Sequence, residues 1–262
     1  MRKRQRMNTS VVVAAVLLVA ATVQAATKTW TGTGDWFTDT ANWSGGLPGP
    51  GDDVVVSSGS LLMSGSTPAL ASFTLNGGTV TMTNWTTELV ATEVTLNGGN
   101  LTCAGEFLTG AMSNRVFITC SNLTINSGGK IDVSSRGYKR GIGANPIHGQ
   151  GPGGGYSFSG SYAGGAGHGG AGGTINLTCR ALSGTGVLTA KGGSATNVSN
   201  NGGGGGGGGR IALFMRNREQ WTGSTLDQAT LVPGGLGNKG NGQPGSVHLV
   251  DLPPLGTQVI LR

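Results

Sequence analysis

The phrase Gly172-Gly-Thr-Ile-Asn-Leu177 returns as Gly208-Gly-Arg-Ile-Ala-Leu213 and again as Pro244-Gly-Ser-Val-His-Leu249. The apolar residue at the fourth position of each phrase recurs at an interval of 36 residues. A fixed period of this size is typical of a solenoid, in which each unit buries its apolar face only against its neighbours. The repeat therefore predicts a stack of strand-containing units.

Each phrase closes a longer unit, which opens with another strand-like run and continues through a glycine-rich insert. The opening runs are Lys130-Ile-Asp-Val-Ser-Ser-Arg-Gly137, Gly186-Val-Leu-Thr-Ala-Lys-Gly-Gly193 and Ala229-Thr-Leu-Val-Pro-Gly-Gly235. The first insert, residues 137–172, is longer than the roughly 12–15 residues beyond which unstructured loops become uncommon. Another contains eight consecutive glycines, Gly202–Gly209. These inserts either stay mobile or pack their backbones closely.

A second repeat precedes these units. Phe73-Thr-Leu-Asn-Gly-Gly-Thr-Val-Thr-Met82 is echoed by Val94-Thr-Leu-Asn-Gly-Gly-Asn-Leu-Thr-Cys103 and by Leu123-Thr-Ile-Asn-Ser-Gly-Gly-Lys-Ile-Asp-Val133. An Asn-Gly turn can make an antiparallel hairpin, so a β-sandwich is the alternative. Isolated hairpins this short are marginal, whereas stacked coils share their edges. We therefore predict an all-β fold, a right-handed parallel β-helix or solenoid with glycine-rich inserted loops.

The first residues have the pattern of a secretory signal. Four basic residues precede the apolar run Val11–Ala21, and Val23-Gln24-Ala25 supplies the small residues of a cleavage site before Ala26. The apolar run is shorter than the ~20 residues of a spanning helix, which disfavours the alternative of a membrane anchor. We expect an exported protein, extracellular or at the cell surface, with no transmembrane span in the mature chain.

Removal of the signal changes the charge balance. The whole chain has a net charge of +6, but the remainder has 13 basic and 11 acidic residues. No basic stripe is left, so we expect no nucleic-acid partner. Glycine accounts for 52 of 262 residues and charged residues for only 11%, a balance that favours strands with many turns.

These features divide the chain into five parts. Residues 1–25 are the predicted signal peptide and residues 26–58 a tryptophan-rich N-terminal cap segment. Residues 59–136 hold the short-coil β-helix repeats, residues 137–252 the glycine-rich β-solenoid repeats, and residues 253–262 a C-terminal tail.

The three cysteines, Cys103, Cys120 and Cys179, each follow a Leu-Thr or Ile-Thr pair in a strand-like run. Their spacing fits no zinc motif, so we expect no metal site. We interpret them as small buried residues of strands, because free cysteine is among the most buried residue types. A Cys103–Cys120 disulfide is an alternative that the sequence leaves open.

Three of the five tryptophans, Trp30, Trp36 and Trp43, lie in the cap segment. Exposed tryptophan rings stack on sugars, so these three residues are the candidates for carbohydrate binding. The alternative, which we favour, is that they cover the open end of the solenoid, since terminal units must shield an exposed core.

We expect no catalytic residues and no cofactor. Asp52 and Asp53 are adjacent, so in a strand their side chains point to opposite faces, and a turn before Val54–Val56 explains them better than acid–base work. Sites of polysaccharide lyases on β-helices combine acids with arginine or lysine on successive coils. The residues available for such a site are Glu88, Glu93, Glu106, Asp132, Arg115 and Lys130, but their spacing does not show convergence.

Several stretches resemble a known group of proteins. Ala181-Leu-Ser-Gly-Thr-Gly-Val-Leu-Thr-Ala-Lys-Gly-Gly193, the Gly202–Gly209 run and Gly245-Ser-Val-His-Leu-Val-Asp251 resemble glycine-rich repeats of large exported bacterial proteins. Trp30-Thr-Gly32 and Asn42-Trp-Ser-Gly-Gly46 resemble the entry segment of autotransporter-like parallel β-helix proteins. The resemblance covers most of the mature chain and implies a β-helix at the cell surface. That group is of unassigned function and supplies no catalytic residues.

We therefore expect a secreted or surface-displayed structural or adhesive protein without catalytic activity. Its partner would be polysaccharide or other cell-surface material. The first alternative is a carbohydrate-binding or carbohydrate-active protein, similar to a polysaccharide lyase or hydrolase, on the same scaffold. A further alternative is ice or mineral binding, which requires threonines such as those of Thr79-Val-Thr81 to align on successive coils.

Overall fold

The computed structural model describes residues 25–107, 112–139, 170–194, 204–237 and 240–253. It is 48% strand and 4% helix, with 14 strands in one large, mixed sheet that is not closed. The prediction of an all-β chain is confirmed at this level. The basic and apolar parts of the predicted signal, most of the first glycine insert and most of the predicted tail lie outside the described residues. In the part that is described, no helix is both long and apolar enough to span a membrane.

The strands are short, apart from two. They are β1 (Thr27–Trp30), β2 (Thr33–Asp35), β3 (Trp43–Ser44), β4 (Asp53–Val56), β5 (Ser60–Met63), β6 (Leu70–Leu75), β7 (Thr79–Met82), β8 (Leu89–Cys103), β9 (Val116–Asp132), β10 (Thr174–Thr178), β11 (Ala181–Gly184), β12 (Val187–Thr189), β13 (Arg210–Met215) and β14 (Ser246–Asp251). A 3-10 turn (Thr40–Asn42) and one short helix, α1 (Gln228–Leu231), complete the described elements.

The strands pair in three ladders, and every pairing except β1 with β3 is parallel. The first ladder runs β1, β4, β6, β8, β9, β11, and the second runs β2, β5, β7, β8, β9, β12. The third contains the beginnings of β8 and β9, then β10, β13 and β14. The long strands β8 and β9 therefore take part in all three.

The predicted interval of 36 residues is confirmed by the third ladder. Ile175 pairs with Ile211, and Ile211 pairs with Val247, each in parallel register. Residues alternate in burial along β13, so Ile211 and Leu213 lie in the core while their neighbours are half-buried or exposed. The period therefore places each of these apolar residues beside its counterpart in the neighbouring strand.

The echoes of the Asn-Gly phrase also pair in parallel with one another. Phe73 pairs with Val94 and Val94 pairs with Leu123, and all three are buried. The two halves of one phrase do not pair as a hairpin. In the second and third phrases both halves belong to one strand, β8 or β9, and the glycines of the two strands pair with each other. At Gly99, φ is +76°, and a Cβ atom there would lie 2.4 Å from the Gly78 carbonyl oxygen. Only glycine fits this combination of left-handed backbone and close approach.

The described part of the eight-glycine run packs its backbone closely against other backbone. A Cβ atom on Gly209 would lie 2.1 Å from the carbonyl oxygen of Gly173. Backbone hydrogen bonds accompany this contact, from the Gly209 amide to the Ala190 carbonyl at 2.7 Å and from the Gly172 amide to the Gly207 carbonyl at 2.9 Å. Of the two alternatives for the inserts, Gly205, Gly208 and Gly209 follow close packing.

The opening run of the third glycine-rich unit differs from the prediction. Residues 228–231 form α1 rather than a strand. Asp227 is the reason, because its side chain accepts a hydrogen bond from the Thr230 amide at 2.8 Å and caps the helix. The backbone of this segment still hydrogen-bonds to the residue that follows β12, since the Leu231 carbonyl accepts from the Ala190 amide at 2.7 Å.

Candidate functional site

Trp30, Trp36 and Trp43 lie together in the core, with exposed fractions of 0%, 0% and 5%. The Trp36 ring meets the Trp43 ring edge-on with centroids 4.7 Å apart, and Trp43 meets Trp30 in the same way at 5.1 Å. Edge-to-face geometry is one of the favoured arrangements for aromatic pairs. A ring that stacks on a sugar must expose one face. The burial of these three residues therefore favours a packing role over carbohydrate stacking.

The cap segment is held in this shape by local hydrogen bonds. The indole nitrogen of Trp43 donates to the Trp36 carbonyl at 3.0 Å, and that of Trp30 donates to the Gly32 carbonyl at 2.9 Å. Strand β3 pairs antiparallel with β1 at the end of the first ladder, so Trp43 stands opposite Trp30. The tryptophans therefore cover the core where the ladder begins.

Asp52 ties the start of β1 to the turn that precedes β4. Its side chain is 7% exposed and accepts from the Ala26 amide at 3.0 Å and from the Gly49 amide at 2.9 Å. These two hydrogen bonds, from Gly49 and Ala26, hold the pKa of Asp52 below its ordinary value. The neighbouring Asp53 instead accepts from the Ser72 hydroxyl. Asp52 thus binds backbone amides and Asp53 binds a side chain, and the two carboxylates do not share a partner. This arrangement agrees with the predicted turn before Val54–Val56.

The acidic and basic candidates for a lyase-like site are dispersed among the described residues. Glu93 accepts from the Asn122 amide at 2.7 Å. Asp132 lies 3.9 Å from the Lys130 ammonium and accepts from the Ser134 amide. Each of these carboxylates has its own local partner, whereas the charge of Glu88 acts on Arg115. Over the described ranges, no group of three or more His, Cys, Asp or Glu residues could hold a metal ion.

Outward side chains of the first ladder form two regular rows. Threonines pair from strand to strand in one row and asparagines align in the other, and together we call them the Thr–Asn face: Thr74, Thr95, Thr124, Asn76, Asn97, Asn126. The Asn97 amide donates to Asn76 at 2.8 Å, and the Asn126 amide donates to Asn97 at 2.7 Å. The threonine row continues to Ser183, whose hydroxyl lies 2.9 Å from that of Thr124.

The threonines singled out for ice or mineral binding belong to a mixed row. Thr79 pairs with Ser60 on one side and with Asn100 on the other, and Thr81 pairs with Leu62 and with Thr102. A longer row of threonines is found on the Thr–Asn face, where sequence reasoning did not place it. The signal was present in the Thr-Leu-Asn, Thr-Leu-Asn and Thr-Ile-Asn phrases, because residues two apart in a strand share a face.

A second outward cluster joins an arginine to two aromatic rings. The Arg115 guanidinium lies 4.2 Å from the centroid of Phe117 and 4.8 Å from that of Trp85, and its Nε donates to the Trp85 carbonyl at 2.7 Å. Trp85 and Phe117 are both half-buried residues. Burial lowers the pKa of Arg115. Sequence reasoning missed this cluster, because 30 residues separate Trp85 from Arg115.

The cysteines occupy two different parts of the core. Cys103 ends β8 and is fully buried, and burial raises its pKa to about 12. Cys179 is 3% exposed and Cys120 packs against the same core. The predicted burial is confirmed for Cys103 and Cys179, whereas Cys120 is half-buried. The strand register places Cys120 opposite Cys179, whereas Cys103 lies at the end of β8.

The described chain therefore offers two outward surfaces with regular or convergent chemistry, the Thr–Asn face and the Trp85–Arg115–Phe117 cluster. In comparisons with known proteins, the chain matches no protein-family model, no curated protein and no solved structure.

Proposed function

We propose that this chain is an exported, surface-displayed right-handed parallel β-helix with a structural or adhesive role and without catalytic activity. The observation that carries the proposal is the Thr–Asn face, whose asparagines donate hydrogen bonds from one strand to the next at 2.8 and 2.7 Å. Rows of identical residues that bond along the stack stabilise the stacking of coils and leave a long regular outer surface. Such extended surfaces are the usual means by which solenoids meet partners.

The order of pairing supports the coiled architecture. Along β8 and β9 the chain passes from the third ladder to the first and then to the second. It then returns to the third ladder one strand further on, at β10 after β9. A chain that visits three ladders in turn and comes back one strand later describes a coil. The signal-like N-terminus and the resemblance to exported glycine-rich repeat proteins support display outside the cell.

The structural role is tested with cells that express the full chain. Extracellular protease should remove the protein from intact cells, and cells that carry it should attach to a polysaccharide or cell-surface layer better than cells that lack it. The recovered chain should begin at Ala26 by mass. Protein protected inside intact cells, or unchanged attachment, would count against this function.

A second candidate is carbohydrate binding at the Trp85–Arg115–Phe117 cluster. The guanidinium holds the two half-buried rings together, and a ring with an open face can stack on a sugar while the cation supplies hydrogen-bond donors. This cluster replaces the buried tryptophans of the cap as the site for the alternative function.

Carbohydrate binding is tested by depletion of the chain of residues 26–262 from solution by a panel of soluble and insoluble polysaccharides. Trp85→Ala should abolish binding to any glycan that depletes the wild type. Phe214→Ala is the matched control, because Phe214 is also a half-buried aromatic residue on the outer side of the third ladder. Retention of binding by Trp85→Ala, or equal loss in both variants, would remove the cluster as the site.

A further inference from the structure

Cys120 and Cys179 stand opposite each other on neighbouring parallel strands. Thr119 pairs with Thr178 just before them, and the Arg180 amide donates to the Ser121 carbonyl at 2.8 Å just after them. The register is therefore the same on both sides of the two cysteines. Neighbouring strands are about 4.8 Å apart, which lies inside the roughly 4.4–6.8 Å range of Cα separations in disulfides.

The two side chains also point the same way. Val116 and Ile118 are buried on alternate positions of β9, so Cys120 continues the inward side of that strand. Cys179 is 3% exposed, and Cys120 packs against the same core. The neighbouring Cys179 thiol and burial raise the pKa of Cys120.

We propose that Cys120 and Cys179 form a disulfide bond in the exported protein, an inference that rests on the export proposed above. The oxidant is a low-molecular-weight disulfide, RSSR. One cysteine loses its proton, its sulfur attacks RSSR, and the first RS⁻ leaves as a mixed disulfide forms. The second cysteine, also deprotonated, attacks the protein sulfur of the mixed disulfide and expels the second RS⁻. The protein loses two electrons and two protons, and RSSR becomes two RSH.

The bond would join the strand before the first glycine insert to the strand after it. Cys120 lies in β9, which precedes the insert, and Cys179 directly follows β10, which comes after it. Cross-linking closes a loop that contains the whole insert and removes conformational freedom from the unfolded chain. Cys103 remains a thiol, which accounts for the odd number of cysteines in an exported chain.

The test is independent of export. The chain of residues 26–262 is equilibrated in a buffer of reduced and oxidised glutathione, and free thiols are alkylated in denaturant without reduction. We expect one alkylated residue, Cys103, and a linked peptide containing Cys120 and Cys179. Reduction should lower the melting temperature by roughly 5–15 °C. Three alkylated thiols, or a bridge to Cys103, would overturn the proposal.

Variants separate the bond from general damage to the core. Cys120→Ala fits its surroundings, because Ala91 occupies the paired position on β8. It should melt at the temperature of the reduced wild type and lose all response to reductant. Cys103→Ser is the control that keeps the response. The bridge could form in glutathione buffer while the chain in cells is not exported and contains no bridge. That outcome would contradict the export proposal and leave the proposed pairing standing.

Discussion

Replacing Asp52 with asparagine tests the contact that closes the beginning of the first ladder. The carboxylate accepts from Ala26 at 3.0 Å and from Gly49 at 2.9 Å, and it is almost fully buried. Asparagine keeps one acceptor oxygen and presents an amide donor to the other N–H group, so one charge-assisted hydrogen bond is lost. Such bonds contribute about 1.5–3 kcal/mol each, so we expect the free energy of unfolding to fall by about 2 kcal/mol.

The loss should depend on pH with a definite sign. Hydrogen bonds from Gly49 and Ala26 lower the pKa of Asp52 from its ordinary value of 3.8. A carboxyl group with a lowered pKa in the folded state stabilises the protein fully above its unfolded pKa, and this contribution is lost as pH falls through the folded pKa. The difference between wild type and Asp52→Asn should therefore be constant between about pH 5 and about pH 7 and shrink below about pH 4.

Cleavage before Ala26 would add a further contribution. The nitrogen that donates to Asp52 would then be an ammonium group, which turns the hydrogen bond into an ion pair. A chain that begins at Ala26 should be more stable than one with a short N-terminal extension. This advantage should vanish in Asp52→Asn, and it should fade above about pH 8, where an α-amino group loses its proton.

The assay is urea unfolding followed by circular dichroism at several pH values. Glu219→Gln is the control, because it removes the same charge at an exposed position and should change stability by less than about 0.5 kcal/mol. A loss in Asp52→Asn no larger than that of the control at neutral pH would refute the reasoning. So would a loss that is as large in acid as at neutral pH.

Two further predictions concern backbone packing and the cap. Gly209→Ala would place a Cβ atom 2.1 Å from the Gly173 carbonyl oxygen, whereas the nearest such atom for Gly207→Ala lies 3.7 Å away. In thermal unfolding, we expect the first to cost more than about 3 kcal/mol and the second less than about 1 kcal/mol, and equal effects would contradict the close packing. Trp43→Phe loses a hydrogen bond to the Trp36 carbonyl, while the Trp36 indole nitrogen has no acceptor among the described residues. Trp43→Phe should therefore cost about 1 kcal/mol more than Trp36→Phe in urea unfolding, and the reverse order would be inconsistent with this hydrogen bonding.

Much of the strand pattern could be predicted because buried and outward side chains alternate along a strand. Ile175, Ile211 and Val247 were placed by their interval alone, and the structure pairs them in register. The opening run of the third glycine-rich unit was not predictable from hydrophobicity, because a local side-chain cap by Asp227 decides it. The pattern of apolar residues alone does not distinguish a capped helical turn from a strand.

The candidate surfaces depended on contacts between distant parts of the chain. The amino-acid sequence by itself determined an all-β chain of stacked repeats, since the period, the Asn-Gly turns and the alternation are local properties. Tertiary structure alone decided that Trp30, Trp36 and Trp43 are buried, that Arg115 meets Trp85, and that Cys120 faces Cys179. The physical reason is that the exposure of a side chain and its partners depend on which strand lies next to which. A regular interval predicts the neighbouring strand. The packing of a side chain against a residue of another strand is not visible in the order of residues.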